Sequence, residues 1–339
     1  MRIVLDARCL VFPLHGIARY TRNLIQNLPL ADTDQLWVLY HPMAFQAFEH
    51  KGVTWIPWQG KTFSLLSFLE LYLFLKENQV DLFHSPSFFC PPFLPCPWIL
   101  TLHDLIHVQR AEEYTFLHRL YFAWLQKKAR QAAGLLTVSE VSRELIKTWL
   151  GPQAPAIEVS TLGVEAHFTP RVENREFRKH YHLPKEYWLF IGNHKAHKNF
   201  KLLKQLWQQA RDLPVLVTLG LPELNLPGIL NLPGLADQDL PELYSHALGL
   251  IAPSLTEGFG LPPLEALACG IPVLAADIPV FHEVLKDAAS YFDPLSPSDL
   301  EQKIRQFKAQ RSEQRPALAY SWQNLGSTTY AFYRRCYAA

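Results

Sequence analysis

The chain has 339 residues, of which 49% are hydrophobic and 19% are charged, and its formal net charge is +1. This composition excludes a disordered chain, because so many apolar residues can form a core, and it argues against a general nucleic-acid-binding protein, which would carry a basic excess. The five cysteines are scattered without a C-x-x-C pair, so we expect unpaired thiols rather than a zinc site or a disulfide framework.

The start of the chain is predicted to be a buried strand and not a signal peptide, because an Arg and an Asp interrupt the apolar run in residues 1–12. The most apolar stretch, residues 63–75, contains Ser67 and Glu70 and is too short to span a bilayer. We therefore expect a cytoplasmic protein.

The first half of the chain alternates short apolar strands with helices. Strands are predicted at 3–5, 36–40, 80–85, 98–102 and 134–138, and helices at 17–28, 64–77, 115–132 and 140–150. Ser139 is placed to cap the last of these helices. Near-continuous apolar strands that alternate with helices are typical of a parallel sheet covered on both faces.

A polar and basic segment, 163–185, interrupts this pattern and is predicted to connect two domains. The alternation then restarts, with strands at 187–191, 215–219, 227–232, 248–252 and 272–275 and helices at 200–211, 240–247, 298–309 and 322–337. We predict an α/β protein with two Rossmann-like βαβ domains, 1–165 and 166–318, that face each other across a cleft. The aromatic C-terminal helix, in 319–339, is predicted to cross back to the first domain.

A glycine-rich loop joins a strand to a helix in the stretch SLTEGFGLPPLEALACG, residues 254–270. Gly258 and Gly260 give the loop its backbone freedom, and two prolines suit the first helical turn. A helix N-terminus behind such a loop offers free N–H groups to a phosphate. Two carboxylates flank this place, because Glu257 lies in the loop and Glu265 is expected about two turns into the helix.

These two glutamates, with GFGLPPLEALACGIPV between and after them, closely resemble the signature of family 4 of the retaining glycosyltransferases, which have the GT-B fold. The resemblance continues through 240–294, the loop IGNHKAHKN at 191–199, and DAR with HGIARYTRNL near the start. It implies the GT-B fold and transfer of a hexose from a nucleotide-diphosphate sugar. The mannosyltransferase-like group is the best match, so GDP-mannose is expected first, while UDP-hexoses stay open.

Lys198 is the leading candidate for stabilising the diphosphate as it leaves, because an ammonium beside a phosphate oxygen makes a charge-assisted hydrogen bond. It lies between a strand end at Gly192 and a helix expected to start at Asn199. Asn193 and Lys195 occupy the same loop, and Lys195 is expected to supply a second positive charge.

The resemblance assigns roles to the other candidates. It implies that Glu265 holds the nucleotide ribose, that Glu257 contacts the transferred sugar, and that backbone N–H groups of the glycine loop hold sugar hydroxyls and phosphate. The donor-binding set is Gly16, Gly192, Asn193, Lys195, Lys198, Ser254, Glu257, Gly258, Phe259, Gly260, Leu261 and Glu265.

The catalytic candidates are His103, Glu257 and Lys198. His103 ends an apolar strand in TLHD and matches the family's sugar-contacting histidine, while Asp104 is expected to orient it or cap the loop. Gly16 is expected to let the first loop approach the diphosphate, although the family often has a second glycine where this chain has Ala18.

No metal and no other cofactor is predicted. The D-x-D pairs at 32–34 and 237–239 are interpreted as a solvated turn and a helix cap. His103 and His107 are four residues apart. Two histidines at this spacing would bind one metal ion together only on a helix, whereas the pattern predicts a strand end here. The remaining histidine cluster is expected on the surface and comprises His180, His182, His194 and His197.

No carboxylate pair is evident to support a double displacement, so we predict retention by attack from the face that the diphosphate leaves. The acceptor, a glycan or lipid-linked saccharide in cell-surface polysaccharide synthesis, is expected on the N-terminal domain. Exposed aromatic residues there, beside Lys127, Lys128 and Arg130, would allow peripheral contact with the inner membrane surface.

Two other functions are weighed against this one. A non-catalytic nucleotide-sugar-binding or regulatory protein on the same scaffold stays open. A nicotinamide oxidoreductase is disfavoured, because no G-x-G-x-x-G follows the first strand. The sequence does not indicate an oligomeric state.

Overall fold

The computed structural model describes residues 1–10, 16–42, 52–60, 64–232, 234–307 and 320–338. The chain forms two compact units, Met1–Gly163 together with Tyr320–Ala339, and Val164–Ala319. The C-terminal segment therefore belongs to the first unit.

Within the described residues, the first unit contains a seven-stranded sheet whose order is β3-β2-β1-β4-β5-β6-β7 and whose neighbouring strands all run parallel. The strands are β1 Arg2–Asp6, β2 Gln35–Tyr40, β3 Val53–Pro57, β4 Leu82–Ser85, β5 Trp98–Thr101, β6 Gly134–Thr137 and β7 Ile157–Val159. Every residue of β4, β5 and β6 is buried, as parallel strands enclosed on both faces require.

The second unit contains, in its described part, a six-stranded parallel sheet of order β10-β9-β8-β11-β12-β13. The strands are β8 Tyr187–Ile191, β9 Val215–Leu219, β10 Ile229–Leu232, β11 Gly249–Ala252, β12 Val273–Ala276 and β13 Ala289–Phe292. The two parallel sheets confirm the predicted α/β class.

The helices, in chain order, are α1 Gly16–Asn27, α2 Leu65–Glu77, α3 Ile106–Gln109, α4 Phe116–Ala129, α5 Glu140–Leu150, α6 Arg175–His180, α7 Phe200–Gln209, α8 Leu240–Ser245, α9 Leu261–Ala268, α10 Pro279–Leu285, α11 Pro297–Gln306 and α12 Trp322–Ala338. The predicted cap on α5 is confirmed, because the Ser139 hydroxyl accepts a hydrogen bond from the N–H of Ser142 at 3.1 Å.

Each sheet reverses its strand order once, between β1 and β4 in the first unit and between β8 and β11 in the second. The loops that leave two such strands at their carboxyl ends turn in opposite directions and open a crevice, where ligands of parallel sheets bind. The segments after β8 and β11 are therefore the first place to look for a site in the second unit.

Some elements lie where the sequence pattern predicts none, namely β3, α3, α6, α10 and β13. The edge strand β3 has no buried residue and no apolar run, so nothing in the pattern marks it. The segment 163–185, predicted as a connection, contributes α6 to the second unit. The side chain of Asn174 caps this helix by accepting a hydrogen bond from the N–H of Phe177 at 3.1 Å.

The C-terminal helix α12 packs against α1, which confirms its predicted return to the first domain. A Cβ at Gly326 would overlap the carbonyl oxygen of Asn27, so only glycine allows this close approach of the two helices. Directly after β7, the Ser160 hydroxyl contacts the Leu325 carbonyl oxygen at 3.1 Å and the Thr329 hydroxyl at 2.9 Å.

Asp34 corrects the interpretation of 32–34 as a solvated turn. Its carboxylate is buried and accepts hydrogen bonds from the Met1 ammonium at 2.8 Å and from the Tyr330 hydroxyl of α12. Burial alone raises the pKa of Asp34, but these two donors outweigh it and hold the pKa below its usual value.

His84 lies at the centre of a buried polar network between α12 and the sheet. Its Nδ1 is 2.5 Å from the Tyr333 hydroxyl, its Nε2 is 2.8 Å from the Thr101 hydroxyl, and that hydroxyl is 3.1 Å from the Tyr20 hydroxyl. Burial, and secondarily the charge of His103, lowers the pKa of His84 to about 3. The imidazole is therefore neutral, with one nitrogen donating and the other accepting.

This network predicts a pH-dependent stability. An unfolded histidine has a pKa of about 6.5. The unfolded chain therefore takes up a proton that the folded chain excludes, and stability falls as the pH drops below that value. Between pH 7 and pH 5 we expect His84 to account for a loss of about 2 kcal/mol. Urea unfolding of the wild type and of His84→Gln, which removes the titrating group, measures this loss as the difference between their pH dependences.

The exposed His118→Gln variant is the control, because it removes a titratable imidazole from the surface of the same unit. It should keep the pH dependence of the wild type. An equal pH dependence for His84→Gln and the wild type would contradict a neutral, buried His84.

Candidate functional site

Three predicted residues meet at the switch point of the second sheet. The Lys198 Nζ lies 2.6 Å from the Glu257 Oε1, and the Ser254 hydroxyl donates to the same oxygen at 2.7 Å. The Lys198 and Glu257 side chains are 19% and 12% exposed, so solvent still reaches the pair. We call these residues the Lys198–Glu257–Ser254 cluster. A small pocket beside it is lined in part by Phe190, Pro262 and Phe281.

The loop after β8 is joined to the loop after β11 through its backbone. Lys198 ends a short 3₁₀ turn, and the N–H of Leu255 donates to the carbonyl oxygen of His197 at 2.8 Å. His197 is buried, so the surface location predicted for it is wrong, whereas His180, His182 and His194 are exposed.

The other predicted residues of the first loop have local contacts. The N–H of Gly192 donates to the Leu219 carbonyl oxygen at 3.0 Å, and a Cβ at Gly192 would lie 2.9 Å from the ring of Phe190. The Asn193 side-chain oxygen accepts a hydrogen bond from the N–H of Lys195 at 3.1 Å, as in an Asx turn. Lys195 is exposed on this loop, and its predicted contact with a ligand stays a prediction.

The glycine loop leads into α9 through a left-handed residue. Gly260 has a φ of +98°, and a Cβ there would lie 2.7 Å from the ring of Phe281, so conformation and space both require glycine. Gly258, Phe259 and Leu261 are buried, so the side chains of Phe259 and Leu261 are not available to a ligand.

The start of α9 offers fewer N–H groups than the glycine loop suggests. Pro262 and Pro263 occupy the first turn of α9, which begins at Leu261, and proline has no N–H. Two of the donors that a helix N-terminus usually presents are therefore missing here. An anion bound at this place would depend correspondingly more on Lys198.

Glu265 lies one turn into α9, not two turns as predicted, and only 1% of its surface is exposed. The hydroxyl of Tyr244, on α8, donates to its Oε2 at 2.7 Å. No local sequence pattern relates Tyr244 on α8 to Glu265 on α9, so the sequence predicts no role for Tyr244. The available signal is a tyrosine directly after Leu243 in a short helix, because a buried tyrosine needs a hydrogen-bond partner.

His103 and Gly16 belong to the first unit. The Nε2 of His103 lies 2.9 Å from the Pro86 carbonyl oxygen, which can only accept, so this nitrogen carries the hydrogen. The ring packs edge-on against Tyr20 at a centroid distance of 4.6 Å. Asp104 accepts a hydrogen bond from the N–H of Ile106 at 2.9 Å, which confirms that it caps the loop.

Gly16 is the first residue of α1, and a Cβ built on it would meet no described atom within 4 Å. Packing within the described residues therefore does not require glycine here. Ala18 is fully buried on the same helix. The loop residues 11–15, on which the predicted approach of this loop to a diphosphate depends, lie outside the described residues.

Arg8 is a further candidate, which the sequence marks only as the last residue of DAR, residues 6–8. It follows β1 at the switch point of the first sheet and donates to both oxygens of Asp6, at 2.8 and 2.7 Å. It also donates to the Gly60 carbonyl oxygen at 3.0 Å, and its guanidinium carbon lies 4.7 Å from the ring centroid of Phe89. Arg8 therefore joins three loops at the carboxyl edge of the first sheet.

Metal-ligand clusters and membrane-spanning helices are both absent from the residues that the structure describes. In that part of the chain, no three histidine, cysteine, aspartate or glutamate side chains are grouped as a metal site would require. None of the helices described there is both long enough and apolar enough to cross a bilayer.

The family comparisons cover both units. Residues 14–168 match the family described as Glycosyltransferase Family 4, and residues 172–322 match the one described as Glycosyl transferases group 1. The chain is thus built from a glycosyltransferase family 4 domain followed by a glycosyl transferases group 1 domain. The resemblance stated from the glycine loop is confirmed, and the protein is a glycosyltransferase.

The relatives agree with this family. O-antigen chain mannosyltransferase B of Escherichia coli is 27% identical, over 98% of this chain and 100% of that protein. Sucrose-phosphate synthase from Thermosynechococcus elongatus is similar in structure, with a TM-score of 0.71 at 17% identity, over 99% of this chain and 95% of that one. WaaG, a glycosyltransferase involved in lipopolysaccharide biosynthesis, has a TM-score of 0.66 at 16% identity, over 98% and 95%. These structures confirm the GT-B fold.

Within the cluster, Glu257→Gln is predicted to separate binding from transfer. The change removes the negative charge beside the Lys198 ammonium, so an anionic nucleoside diphosphate no longer competes with a carboxylate. We expect the dissociation constant for GDP or UDP, measured by calorimetry, to fall by up to about fivefold, because a partly exposed ion pair contributes up to about 1 kcal/mol. Sugar transfer by the same variant should decrease.

Ser254→Ala is the matched control, because it removes a hydrogen bond to the same oxygen without changing the charge. It should not tighten nucleotide binding. Weaker binding of GDP and UDP to Glu257→Gln would contradict the idea that Glu257 and the diphosphate share Lys198.

Proposed function

We propose that this glycosyltransferase moves a hexose, with mannose as the first candidate, from a nucleotide-diphosphate sugar to a hydroxyl of a glycan or lipid-linked saccharide in cell-surface polysaccharide synthesis. The observation that carries the proposal is the Lys198–Glu257–Ser254 cluster at the carboxyl edge of the second sheet. We assign the donor to the domain 166–318 and the acceptor to the domain 1–165, with the helix of 319–339 packed on the latter.

The donor assignment rests on charge and on position. A diphosphate needs a cation, and Lys198 is held at the switch point by a partner that a phosphate oxygen can replace. The predicted donor-binding residues lie on both sides of Lys198 in the sequence. Gly192, Asn193 and Lys195 precede it. The backbone of Gly258–Leu261 follows Glu257, and Glu265 is proposed to hold the ribose.

The proposed reaction retains the anomeric configuration and needs no metal. The bond between the anomeric carbon and the phosphate oxygen breaks, and Lys198 stabilises the charge that develops on the departing diphosphate. The acceptor oxygen attacks from the same face and forms the new glycosidic bond, while its proton passes to the departing phosphate. Glu257 contacts the transferred sugar, and His103 is proposed as a further sugar contact.

The proposed sugar and acceptor are supported by the name of a relative. The Escherichia coli relative, which is similar over its whole length, is an O-antigen chain mannosyltransferase. Mannose, GDP as its carrier and a saccharide acceptor of the O-antigen type are therefore the first candidates for this chain.

The donor proposal is tested by thermal shift with GDP, UDP, ADP and dTDP, followed by a transfer assay with the matching sugar nucleotide. A nucleotide at a hundred times its dissociation constant adds about 2.7 kcal/mol of stability. We expect GDP to give the largest shift, mannose to be transferred with EDTA present, and the product to keep the donor's anomeric configuration by NMR. An inverted product, or activity lost with EDTA and restored by a metal, would overturn that part of the proposal.

The catalytic role of Lys198 is tested in the same assay. Lys198→Ala should lower transfer by a factor of about 100 to 1,000, the loss typical for one preorganised charge stabiliser. Lys201→Ala, an exposed lysine on α7, is the control and should keep wild-type transfer. If Lys198→Ala transferred sugar at the wild-type rate, the ammonium would have no part in the reaction.

We also propose that the first unit rests on an anionic membrane. A surface of exposed apolar side chains supports this, with Leu65, Leu66, Leu69 and Leu73 on α2 and Phe116, Leu117 and Leu120 on α4. Both helices pack on the loop 86–97: the Tyr72 ring contacts Phe93, and the Tyr121 hydroxyl donates to the Phe88 carbonyl oxygen at 2.5 Å. We call these seven side chains the α2–α4 surface.

The charge beside this surface favours an anionic lipid bilayer. No acidic residue occurs between Tyr114 and Ser139, whereas Arg119, Lys127, Lys128 and Arg130 lie on or just after α4. Each basic residue near an anionic membrane surface contributes about 1 kcal/mol to binding. Apolar insertion and charge attraction together would bring the enzyme to a lipid-linked acceptor.

Vesicle co-sedimentation tests this docking. We expect binding to vesicles of anionic lipid at low salt, weaker binding to vesicles of neutral lipid, and loss of binding when Leu66 and Leu117 are both changed to Ser. The control changes Val172 and Leu295 to Ser, which are exposed apolar residues of the second unit. No binding by the wild type, or equal losses in the two double variants, would contradict the proposal.

A further inference from the structure

Asn199, directly after Lys198, adopts a conformation that few residues tolerate. Its φ is 55° and its ψ is 33°, in the left-handed region, at the start of α7. Asparagine enters this region more readily than most residues other than glycine. Its backbone is fixed on both sides, because its N–H donates to the Ala196 carbonyl oxygen at 3.0 Å and its carbonyl oxygen accepts from the N–H of Leu202 at 3.1 Å.

The side chain of Asn199 spans three loops at the carboxyl edge of the second sheet. Its Nδ2 donates to the Pro253 carbonyl oxygen at 3.0 Å and to the Pro294 carbonyl oxygen at 2.8 Å. Pro253 directly follows β11, and Pro294 lies two residues after β13. An amide NH₂ has two hydrogens, so one donor group holds both carbonyls and ties the loop after β8 to the loops after two other strands.

The bond to Pro253 links the two chain segments that carry the cluster. Asn199 is the chain neighbour of Lys198, and Pro253 is the chain neighbour of Ser254, whose hydroxyl contacts Glu257. Asn199 therefore fixes one backbone against the other at the base of the Lys198–Glu257 pair.

We infer that Asn199 is a positioning residue that holds Lys198 and Glu257 in register for the leaving diphosphate. The inference rests on the proposed donor role of these two residues. Its proposed role is indirect: Asn199 acts through the backbones that carry Lys198 and Ser254 and does not contact the reacting atoms.

Two substitutions separate the conformation of Asn199 from its hydrogen bonds. Glycine takes the same φ without strain but has no amide, so Asn199→Gly keeps the turn and removes both side-chain bonds. Asn199→Asp keeps the size and the tolerance for left-handed backbone, but it presents a carboxylate to two carbonyl oxygens. If the bonds matter, both variants should be impaired. The control is His182→Gly, because His182 is an exposed non-glycine residue that also has a positive φ, at +52°.

The kinetic test measures kcat and KM for the sugar nucleotide. We expect Asn199→Gly to lower kcat on the order of a hundredfold, because small misplacements of a catalytic group have effects of that size, while KM changes little. Asn199→Asp should lose at least as much, and His182→Gly should match the wild type. Wild-type kcat in Asn199→Gly would overturn the inference.

A double variant tests whether Asn199 acts through Lys198. Combined with Lys198→Ala, Asn199→Gly should cause little further loss, because the residue to be positioned is already absent. A purely structural role would give losses that multiply. Independent, multiplying losses would therefore overturn the inference, while a non-additive result supports it.

Hydrogen exchange tests the positioning role of Asn199 independently of sugar transfer. Asn199→Gly should speed exchange of the Leu255 amide, which donates to the His197 carbonyl oxygen across the same two loops, and His182→Gly should not. If exchange speeds up but the wild type transfers no sugar from any nucleotide, Asn199 holds the two loops together and the proposed function fails. Unchanged exchange at Leu255 would overturn the inference whatever the activity.

Discussion

The contact between Lys198 and Glu257 depends on the way two loops are held together at the switch point of the second sheet. A partly exposed ion pair contributes at most about 1 kcal/mol, which is too little to order two loops against their conformational entropy. The backbone bond from Leu255 to His197 and the bond from the Asn199 side chain to Pro253 join these loops more directly. The ion pair is therefore a consequence of the loop arrangement, and exchange of Glu257 for the proposed phosphate oxygen would leave that arrangement in place.

Sequence patterns locate most of this architecture because parallel strands leave a strong local signal. Strands such as Leu82–Ser85 and Val273–Ala276 are buried at every residue, so their apolar runs are visible without knowledge of their neighbours. The edge strand Val53–Pro57 has no such run and is missed. The loop residues Lys198, Ser254 and Glu257 are predicted from their position after strands and from a family signature, and the structure brings these three together.

Partners that are distant in the sequence mark the limit of that reasoning. Asp34 looks like a solvated turn residue until Tyr330, nearly three hundred positions later, donates to it. His84 and Tyr333 are similarly remote, and only their contact explains a histidine in the middle of a buried strand. The Tyr244–Glu265 bond joins two helices, and neither sequence segment indicates the other. Burial of a polar side chain is decided by such partners, so local pattern does not predict it.

The two prolines at the start of α9 have a consequence for how the proposed site responds to chemical change. A phosphate held by backbone N–H groups is insensitive to side-chain chemistry, because every residue except proline carries that donor. Here Pro262 and Pro263 remove two such donors, so the positive charge of the Lys198 ammonium matters correspondingly more in the proposed site. Acylation of the Lys198 side chain would abolish that charge in one step, while the bonds from Leu255 to His197 and from Asn199 to Pro253, which hold the two loops, do not involve the amine. The proposed site would therefore lose its positive charge while its loops stayed in place.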